Sequence, residues 1–539
     1  MYKKIIILLI FCSSFELLAK NISKEWLKKQ PRSYAKDFYI WRFLDQNISS
    51  DDAIWALGEA KHINNKLLFR YSNKLKHKES SKVIQCIKSS PNKLVLEDAD
   101  CIEVGLSTFK ATKLSKDELS KVIKKVKTKY PKSAKRFEII NSPTPFIALL
   151  NSEIDVFYDT FNQCGGKFRV KYFNHHLPLE YIKKLKKDKK QFVQTIKLIV
   201  TNPKLNKIQQ SLLNIDSKDL SHKGQFLLAM NAIQHNKIKQ ALIFLEDAYK
   251  SAYFQFDKDK VLFWKYKLTN NKNYLKKLVN SWDVNIYSLF AQEKLNIKTN
   301  NVVFNIAQKE EESNFDISTP FPWLKVLSDT KKMTPDKMKK YEKLFNKKEL
   351  LGHLAFVKER FFRYKKSYFV NPYEDYIKNY PKKRQALINA IARQESRFIP
   401  TSISTAYALG VMQIMPFLSK AIAKELKETY DIDKQLEAKT NIRYANHHLN
   451  FLESRLKHPL FIAYGYNGGI GFINRVLKSG RFKKGVYEPY LSMELIPYDE
   501  SKRYAKKVLL NYVIYYNNIH SKKIKLTTLL QKVKSPYHK

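Results

Sequence analysis

The chain has 539 residues, and its 99 lysines and arginines against 50 aspartates and glutamates give a formal net charge of +49. Such a length allows roughly three domains and excludes a small disulfide scaffold, while 44% apolar residues exclude a disordered chain. Because only 13 glycines are available for tight turns, we expect a helical fold rather than an all-β one. The charge favours a polyanionic partner such as nucleic acid, anionic lipid or an acidic wall polymer, unless it reflects only a lysine-rich composition.

The N-terminus has the pattern of an export signal. Two lysines precede the apolar run 5–11, and Ala19 follows a second apolar stretch as a small residue at a cleavage site. The segment is too short to remain as a membrane-spanning helix. We therefore expect cleavage after Ala19 and a soluble mature chain in the periplasm without a transmembrane segment. Lipoprotein anchoring at Cys12 is the less favoured alternative, because Phe11 precedes it where a small residue is usual.

Three cysteines remain in the mature chain. In an oxidising compartment Cys86 and Cys101 could close a short loop, which would leave Cys164 free and buried; this pairing is a hypothesis. No metal site is expected, because there is no Cys-x-x-Cys pair and the adjacent His447 and His448 point to different faces of a helix.

Short amphipathic helices alternate with polar turns between residues 20 and 295. In the clearest pair, apolar residues at helical spacing flank a turn at 235–237, and a second pair turns at 270–271. Since neither helix of such a pair can bury its apolar stripe alone, the pattern favours a stacked α-superhelix. An irregular helical domain is the alternative.

The character of the sequence changes after residue 296. An acidic run at 310–312 and a proline-rich segment at 320–323 interrupt the helical pattern. We predict a mainly all-α chain divided into a signal peptide (1–19), an α-superhelical domain (20–295), a linker with a small helical domain (296–368) and a C-terminal domain (369–539).

One glutamate lies on the apolar stripe of a predicted helix. Leu387 to Ala392 form this stripe, and Glu395 continues it four residues after Ile391. Burial penalises the charged carboxylate, so its pKa should rise towards values at which it delivers a proton near neutral pH. The alternative is a structural glutamate paired with Arg393 or Arg397.

Four motifs follow one another around this residue. They are Gln-Glu-Ser at 394–396 followed by Ser404, Gly-Val-Met-Gln-Ile-Met-Pro at 410–416, Tyr-Gly-Tyr-Asn-Gly-Gly at 464–469, and Ile-Pro-Tyr-Asp-Glu-Ser at 496–501. This order over residues 381–516 closely resembles the soluble lytic murein transglycosylases, whose catalytic domain is similar to goose-type lysozyme. The resemblance extends faintly to residues 281–287. It implies a ring-like N-terminal α-superhelical superdomain, a small linker domain and a lysozyme-like catalytic domain.

The resemblance also implies roles for individual residues. The family's single acid/base glutamate falls on Glu395, and Glu500 either acts on it through like charge or contacts substrate. Side-chain chemistry suggests that Gln413 and Asn467 bond acetamido or hydroxyl groups, that Met415 and Tyr466 form apolar walls, and that Ser404 adds a small hydroxyl. The implied substrate-binding set is Ser404, Gln413, Met415, Tyr466, Asn467 and Glu500.

Two positions depart from the family's pattern. Tyr407 stands where a small residue or glycine is usual, and Gly468 stands where alanine is common. We expect both in loops near the cleft, where they would alter the shape of the subsites. A phosphate-binding role for the glycines at 465–471 is disfavoured, because no strand clearly precedes them and no Lys-Ser or Lys-Thr follows.

The implied reaction is non-hydrolytic cleavage of peptidoglycan. Glu395 would protonate the oxygen of the β-1,4 bond between N-acetylmuramic acid and N-acetylglucosamine, then accept the proton of the muramoyl C6 hydroxyl as a 1,6-anhydro ring closes. We expect no cofactor, glycan strands rather than nucleic acid as the partner, and a monomer, with protein partners unknown. The alternatives are a muramidase that hydrolyses the same bond and a non-catalytic helical wall-binding scaffold.

Overall fold

The computed structural model describes residues 21–75, 78–298, 301–307 and 313–537. The expected signal peptide and Cys12 lie outside them. The described chain is almost entirely helical, which confirms the predicted class; two short strands, β1 (Val302–Val303) and β2 (Ser367–Tyr368), pair in parallel. Sequence periodicity could not reveal strands of two residues. No helix in these ranges has both the length and the apolar character needed to cross a membrane.

The superhelical region (residues 21–295) is built from short helices that pack in sequence. Both predicted pairs are confirmed: one turn joins α17 to α18, and Asn270 ends α19 in a left-handed conformation before α20. The helices are α1 (Lys24–Lys28), α2 (Tyr34–Phe43), α3 (Ser50–Gly58), α4 (Asn65–Lys74), α5 (Lys78–Lys88), α6 (Pro91–Leu94), α7 (Ala99–Gly105), α8 (Thr108–Ala111), α9 (Lys116–Val126), α10 (Pro131–Asn141), α11 (Pro145–Leu150), α12 (Ile154–Gln163), α13 (Gly166–Tyr172), α14 (Leu179–Lys186), α15 (Lys189–Val200), α16 (Asn206–Gln210), α17 (His222–Gln234), α18 (Ile238–Ser251), α19 (Gln255–Thr269), α20 (Lys272–Val279) and α21 (Ile286–Leu295).

The cysteines of this region are arranged as hypothesised. Cys86 and Cys101 form a disulfide that joins α5 to α7, with their Cα atoms 5.2 Å apart. Cys164 is free and buried.

The linker region (residues 301–368) has a small core of its own. Trp323, Tyr341 and Phe345 are among its buried side chains. The two strands connect its start to its end. Its helices are α22 (Phe321–Asp329), α23 (Pro335–Leu344) and α24 (Leu351–Phe361), with a 3-10 turn at Lys348–Leu350.

The C-terminal region (residues 369–537) is arranged around its longest helix, α32, which packs against α26 and α29. Tyr515 and Leu509 of α32 are buried in this core. The helices are α25 (Glu374–Ile377), α26 (Lys382–Glu395), α27 (Pro416–Glu425), α28 (Ala438–Leu456), α29 (Pro459–Gly468), α30 (Ile470–Lys478), α31 (Tyr490–Glu494), α32 (Asp499–Ile519) and α33 (Leu526–Gln531), with a 3-10 turn at Asp433–Leu436.

The superhelical region contacts the C-terminal region near its start and again in its second half. Near its start, Arg42 of α2 makes a bidentate ion pair with Asp433, with N–O distances of 2.5 and 2.9 Å. In its second half, Lys197 of α15 contacts Asp499 at 3.0 Å, and Tyr287 of α21 donates its hydroxyl to Glu494. The first and the later helices of the superhelical region thus attach to the same C-terminal region, while the ring-like arrangement stays a prediction.

Candidate active site

Glu395 is the last residue of α26, so the carboxylate stands where the chain leaves the helix. Ser396 ends the helix and donates a hydrogen bond from Oγ to the carbonyl of Val411 at 2.8 Å. Arg397 and Phe398 then adopt left-handed conformations, with φ angles of 57° and 65°, that turn the chain away. The apolar stripe of α26 is buried beneath, while Glu395 itself is partly accessible.

The surroundings of Glu395 keep its carboxyl group near the midpoint of titration at neutral pH. Burial raises its pKa to about 7 from an ordinary value of 4.5; the hydroxyl of Tyr504 lowers the pKa by donating to Oε1 at 2.7 Å, and the charge of Glu500 raises it. A group with such a pKa can both donate and accept a proton near pH 7.

The arginines beside Glu395 do not pair with it. Arg393 and Arg397 both contact Glu359 of the linker region, at 2.7 Å to Oε1 and 2.9 Å to Oε2 respectively. The side chain of Glu359 is only 4% exposed, and its carboxylate pairs with the buried Arg393 and with the partly exposed Arg397. Because the two neighbouring arginines are already engaged, the structural-pair interpretation of Glu395 is wrong.

A segment that we call the cleft loop (residues 403–414) follows the glutamate. Its two limbs are joined by antiparallel bridges at Leu409, to Ile403 and to Ile414. Ser404 folds one end, where its Oγ accepts the backbone N–H groups of Ala406 and Ala408 at 3.2 and 2.9 Å. The Ser404 hydroxyl oxygen therefore helps to shape the loop.

Gln413 occupies the other end of the cleft loop. Its φ is 49°, and its Nε2 donates to the carbonyls of Ser402 and Gly410 at 2.9 and 2.8 Å. Gly410 is required at its position, because φ is 82° and a Cβ would lie 2.2 Å from the carbonyl oxygen of Gln435. With both amide hydrogens of Gln413 used, its Oε1 is left as an acceptor for a ligand.

Tyr466 bonds the cleft loop, and Met415 follows that loop directly in the chain. The hydroxyl of Tyr466 donates to the carbonyl of Met412 at 2.8 Å, and its ring lies 5.8 Å from that of His448. Burial raises the pKa of Tyr466 well above its ordinary value, so its hydroxyl stays protonated. Met415 immediately precedes α27 and is partly exposed.

Asn467 joins the third motif to the fourth. Its Nδ2 donates to Oε1 of Glu500 at 3.1 Å, and its Oδ1 accepts from the hydroxyl of Ser501 at 2.5 Å. The amide is thereby held in one orientation, with one amide hydrogen left for a ligand. Glu500 itself is exposed at the start of α32.

Of the two departures from the family's pattern, Tyr407 lies in a loop as expected and Gly468 does not. Gly468 is the last residue of α29, and a Cβ there would lie 2.3 Å from the Phe472 ring. Tyr407 is in the cleft loop, and its side chain is 1% exposed and packs against Phe38 and Trp41 of α2. The Tyr407 side chain is therefore part of the packing between the cleft loop and α2.

Tyr504 was not predicted from the sequence, yet it makes the hydrogen bond to Glu395. It follows Glu500 by four residues on α32, so the two side chains share one face of that helix. Extending the last motif by one helical turn would have identified it.

Comparison with known protein families gives the class of this domain. Residues 373–487 match the family model described as "Transglycosylase SLT domain", which contains Glu395, the cleft loop and Asn467 but ends before Glu500 and Tyr504. The C-terminal region is therefore similar to this domain family, and the resemblance to soluble lytic murein transglycosylases is confirmed over residues 373–487.

Particular relatives agree with this class. The "Putative soluble lytic murein transglycosylase" of Haemophilus influenzae is 32% identical over 135 residues, which are 25% of this chain and 22% of the relative. The "Soluble lytic murein transglycosylase" of Escherichia coli K12 is 31% identical over 150 residues, 27% of this chain and 23% of the relative. The chain thus aligns with less than a quarter of the length of these relatives.

Solved structures resemble the chain over a greater length. The 70-kDa soluble lytic transglycosylase in complex with bulgecin A is 16% identical, with a TM-score of 0.49, over 93% of this chain and 84% of that chain. Lytic transglycosylase Slt of Pseudomonas aeruginosa is 15% identical, with a TM-score of 0.47, over 94% of this chain and 90% of that chain.

Proposed function

We propose that this protein cleaves the β-1,4 bond between N-acetylmuramic acid and N-acetylglucosamine in peptidoglycan without water and leaves 1,6-anhydromuramoyl ends. The observation that carries the proposal is the carboxyl group of Glu395 at the end of α26, which accepts the Tyr504 hydroxyl beside the cleft loop and whose pKa burial raises to about 7. The domain match and the names of the relatives support murein as the substrate class.

One carboxyl group serves two successive proton transfers in this mechanism. Protonated Glu395 gives its proton to the glycosidic oxygen as the bond from C1 to that oxygen breaks. The resulting carboxylate, which accepts the hydrogen bond of Tyr504, then takes the proton of the C6 hydroxyl while O6 bonds to C1. The charge that develops at C1 is shielded by the sugar's own acetamido group.

The other residues bind and orient the sugar. Gln413 offers Oε1 as an acceptor for a hydroxyl or acetamido N–H, and Tyr466 and Met415 supply apolar walls. Ser404 and Asn467 are largely engaged within the chain, so their main contribution is to hold the cleft loop and Glu500 in place while each retains one hydrogen for a ligand.

Non-hydrolytic cleavage is favoured over hydrolysis by the state of the second carboxylate. Hydrolytic glycosidases use two carboxyl groups, one of which attacks the sugar or activates water. Glu500 is exposed and bound to Asn467, and its described action on Glu395 is a like charge that raises the pKa. We therefore assign Glu500 an electrostatic role.

Mass analysis of the products from purified peptidoglycan tests this function. We expect disaccharide products that are lighter by one water than those of a muramidase, and no such products from Glu395→Gln. Products of hydrolytic mass would support the muramidase, and absence of any cleavage by a folded protein would support the wall-binding scaffold.

We further propose that the protein acts in the periplasm as a monomer, where this substrate lies. N-terminal sequencing of protein from a periplasmic extract should begin at Lys20, and light scattering should give one chain. Recovery of an intact precursor inside cells, or of lipid attached at Cys12, would contradict the assigned location.

A further inference from the structure

The outer side of the cleft loop is covered by the first helices of the chain. The ring of Tyr407 lies 5.8 Å from that of Phe38 and 5.6 Å from that of Trp41, both on α2. Leu409 is fully buried in the same apolar cluster, which otherwise consists mainly of residues from α1 to α4. Two side chains of the cleft loop therefore belong to a core supplied largely by the N-terminal helices.

The backbone of Tyr407 is strained. Its φ of 66° lies in the left-handed region, which an aromatic residue adopts only at a cost. Such a conformation persists where the surrounding structure over-determines it. Here the aromatic packing against α2 provides that constraint.

Polar contacts hold the same point of the loop. Lys66 of α4 donates from Nζ to the carbonyl of Ala406 at 2.7 Å, and its Nζ lies 5.5 Å from the centre of the Tyr407 ring. Asn64, just before α4, donates to the carbonyl of Thr405 at 3.4 Å. The two residues before Tyr407 are thus fixed by their backbone carbonyls.

This anchored point is connected directly to the ligand-facing residues. The N–H of Tyr407 donates to the carbonyl of Ser404 at 2.9 Å. Leu409 exchanges two backbone hydrogen bonds of 3.0 Å with Ile414, which is adjacent to Gln413. A shift of the Tyr407 ring would therefore move both ends of the cleft loop.

We propose that Tyr407 is a positioning residue: through it, helices α2 to α4 of the superhelical region hold the cleft loop in the conformation that presents Ser404 and Gln413 to the sugar. The nature of the sugar ligand rests on the proposed function, but the positioning itself concerns the geometry of the loop. The N-terminal helices thus become part of the binding site without touching substrate.

The test uses the full chain and four substitutions. Tyr407→Gly removes the ring while suiting the left-handed backbone, so the loop can keep its path without its anchor. Tyr407→Phe keeps the ring. Lys66→Met, on α4, removes the hydrogen bond from Lys66 Nζ to the carbonyl of Ala406. Asp433→Asn is the matched control, because it weakens the Arg42 ion pair of the same interface without altering the loop.

Two readouts separate positioning from stability. Cleavage of soluble glycan fragments gives kcat and KM, and binding of a tetramer of N-acetylglucosamine is titrated with each substitution combined with Glu395→Gln. We expect Tyr407→Gly to weaken binding and lower kcat/KM about tenfold, mainly through KM, because misplaced contacts lose orientation. Lys66→Met should have a smaller effect in the same direction at an unchanged unfolding midpoint, while Tyr407→Phe and Asp433→Asn stay within twofold of their parents. Tyr407→Gly loses a buried ring, so its unfolding midpoint should fall, and its binding and kinetics are compared at a temperature well below that midpoint.

Several results would overturn the proposal. The first is normal binding and kinetics in folded Tyr407→Gly. The second is a loss of binding and kcat/KM in Tyr407→Phe that equals the loss in Tyr407→Gly. The third is an equal loss in Asp433→Asn. If Tyr407→Gly does not fold, normal binding by Lys66→Met overturns it. Failure of the proposed function is distinct, because wild type would then release no anhydro products, whereas the binding titration compares variants without cleavage.

Discussion

Two largely buried glutamates in different regions of this protein have opposite electrostatic surroundings. In the cleft, burial raises the pKa of Glu395 to about 7, and a neutral hydroxyl rather than a cation contacts its carboxylate. At the contact between the superhelical and C-terminal regions, Glu494 bonds Lys506 at 2.6 Å and accepts the hydroxyl of Tyr287 at 2.5 Å. Burial alone would raise the pKa of Glu494, but the neighbouring lysine charges hold it below its ordinary value.

The difference shows that burial alone does not make a carboxyl group a proton donor. Both side chains lie in low-dielectric surroundings, yet Glu494 is ionised because a cation neutralises it. The pKa of Glu395 is raised because burial penalises its charged form; its hydrogen-bond donor is the neutral hydroxyl of Tyr504, and the neighbouring arginines pair with Glu359 instead.

The largest effect is expected from removing the exchangeable proton. Glu395→Gln keeps the shape of the side chain but can neither give nor take the proton, so activity should fall by at least about a hundred- to ten-thousandfold. Rates are measured on soluble glycan fragments, with circular dichroism to establish the fold. Substantial turnover by the folded variant would remove Glu395 from its assigned role.

The interface glutamate should respond in stability rather than in activity. Lys506→Met leaves Glu494 buried without its nearest cation and should cost about 3 to 5 kcal/mol of unfolding free energy. Denaturant unfolding measures this loss, and the double variant Lys506→Met, Glu494→Gln should recover much of it, since no charge is then left unpaired. A double variant as unstable as the single one would contradict the electrostatic explanation.

The sequence pointed to Glu395 because its signal is local. An apolar stripe at helical spacing predicts burial of Glu395, and the order of four motifs predicts which residues surround it. Helical pairs were predicted for the same reason, because turns at 235–237 and 270–271 interrupt a visible periodicity.

Features that depend on contacts distant in the chain were not predictable in this way. Glu359 is 34 residues away from Arg393, and Tyr504 is 109 residues away from Glu395. Tyr407 appeared as a departure in a cleft loop, whereas its environment is made by Phe38 and Trp41 from the other end of the chain. Pairwise packing of this kind has no periodic signature.

Ionisation of Glu395 should lower the free energy of unfolding, whereas the ion pair of Glu494 should raise it. The folded pKa of Glu395 is raised from 4.5 to about 7, so its contribution is present at low pH and is lost as pH rises through that range. At pH 8, Glu395→Gln should be about 1 to 3 kcal/mol more stable than wild type, and the advantage should vanish below pH 4.5. Denaturant unfolding at both pH values measures this advantage, with Glu138→Gln, at an exposed position on α10, as the control. An advantage independent of pH would contradict the assigned desolvation.

The smallest expected effect concerns the hydroxyl of Tyr504. Because this group donates to the Glu395 carboxylate, it stabilises the charged form and lowers the pKa. Tyr504→Phe removes the donor and leaves the ring, so the pKa of Glu395 should rise further. Since the acid must be protonated to start the reaction, the alkaline limb of kcat/KM should move to higher pH by roughly half a unit to one unit.

The measurement is a profile of kcat/KM between about pH 5 and pH 9 on a soluble glycan, with exposed Tyr498→Phe as the control in the same segment. A shift confined to Tyr504→Phe would identify the titrating group as Glu395, because Tyr504 bonds that carboxylate directly. An unmoved limb would mean that another group sets the pH dependence, and a limb moved to lower pH would mean that Tyr504 stabilises the protonated acid instead. Either result would contradict the difference between the two glutamates, in which a hydroxyl tunes the pKa of Glu395 in the cleft and a lysine keeps Glu494 ionised at the interface.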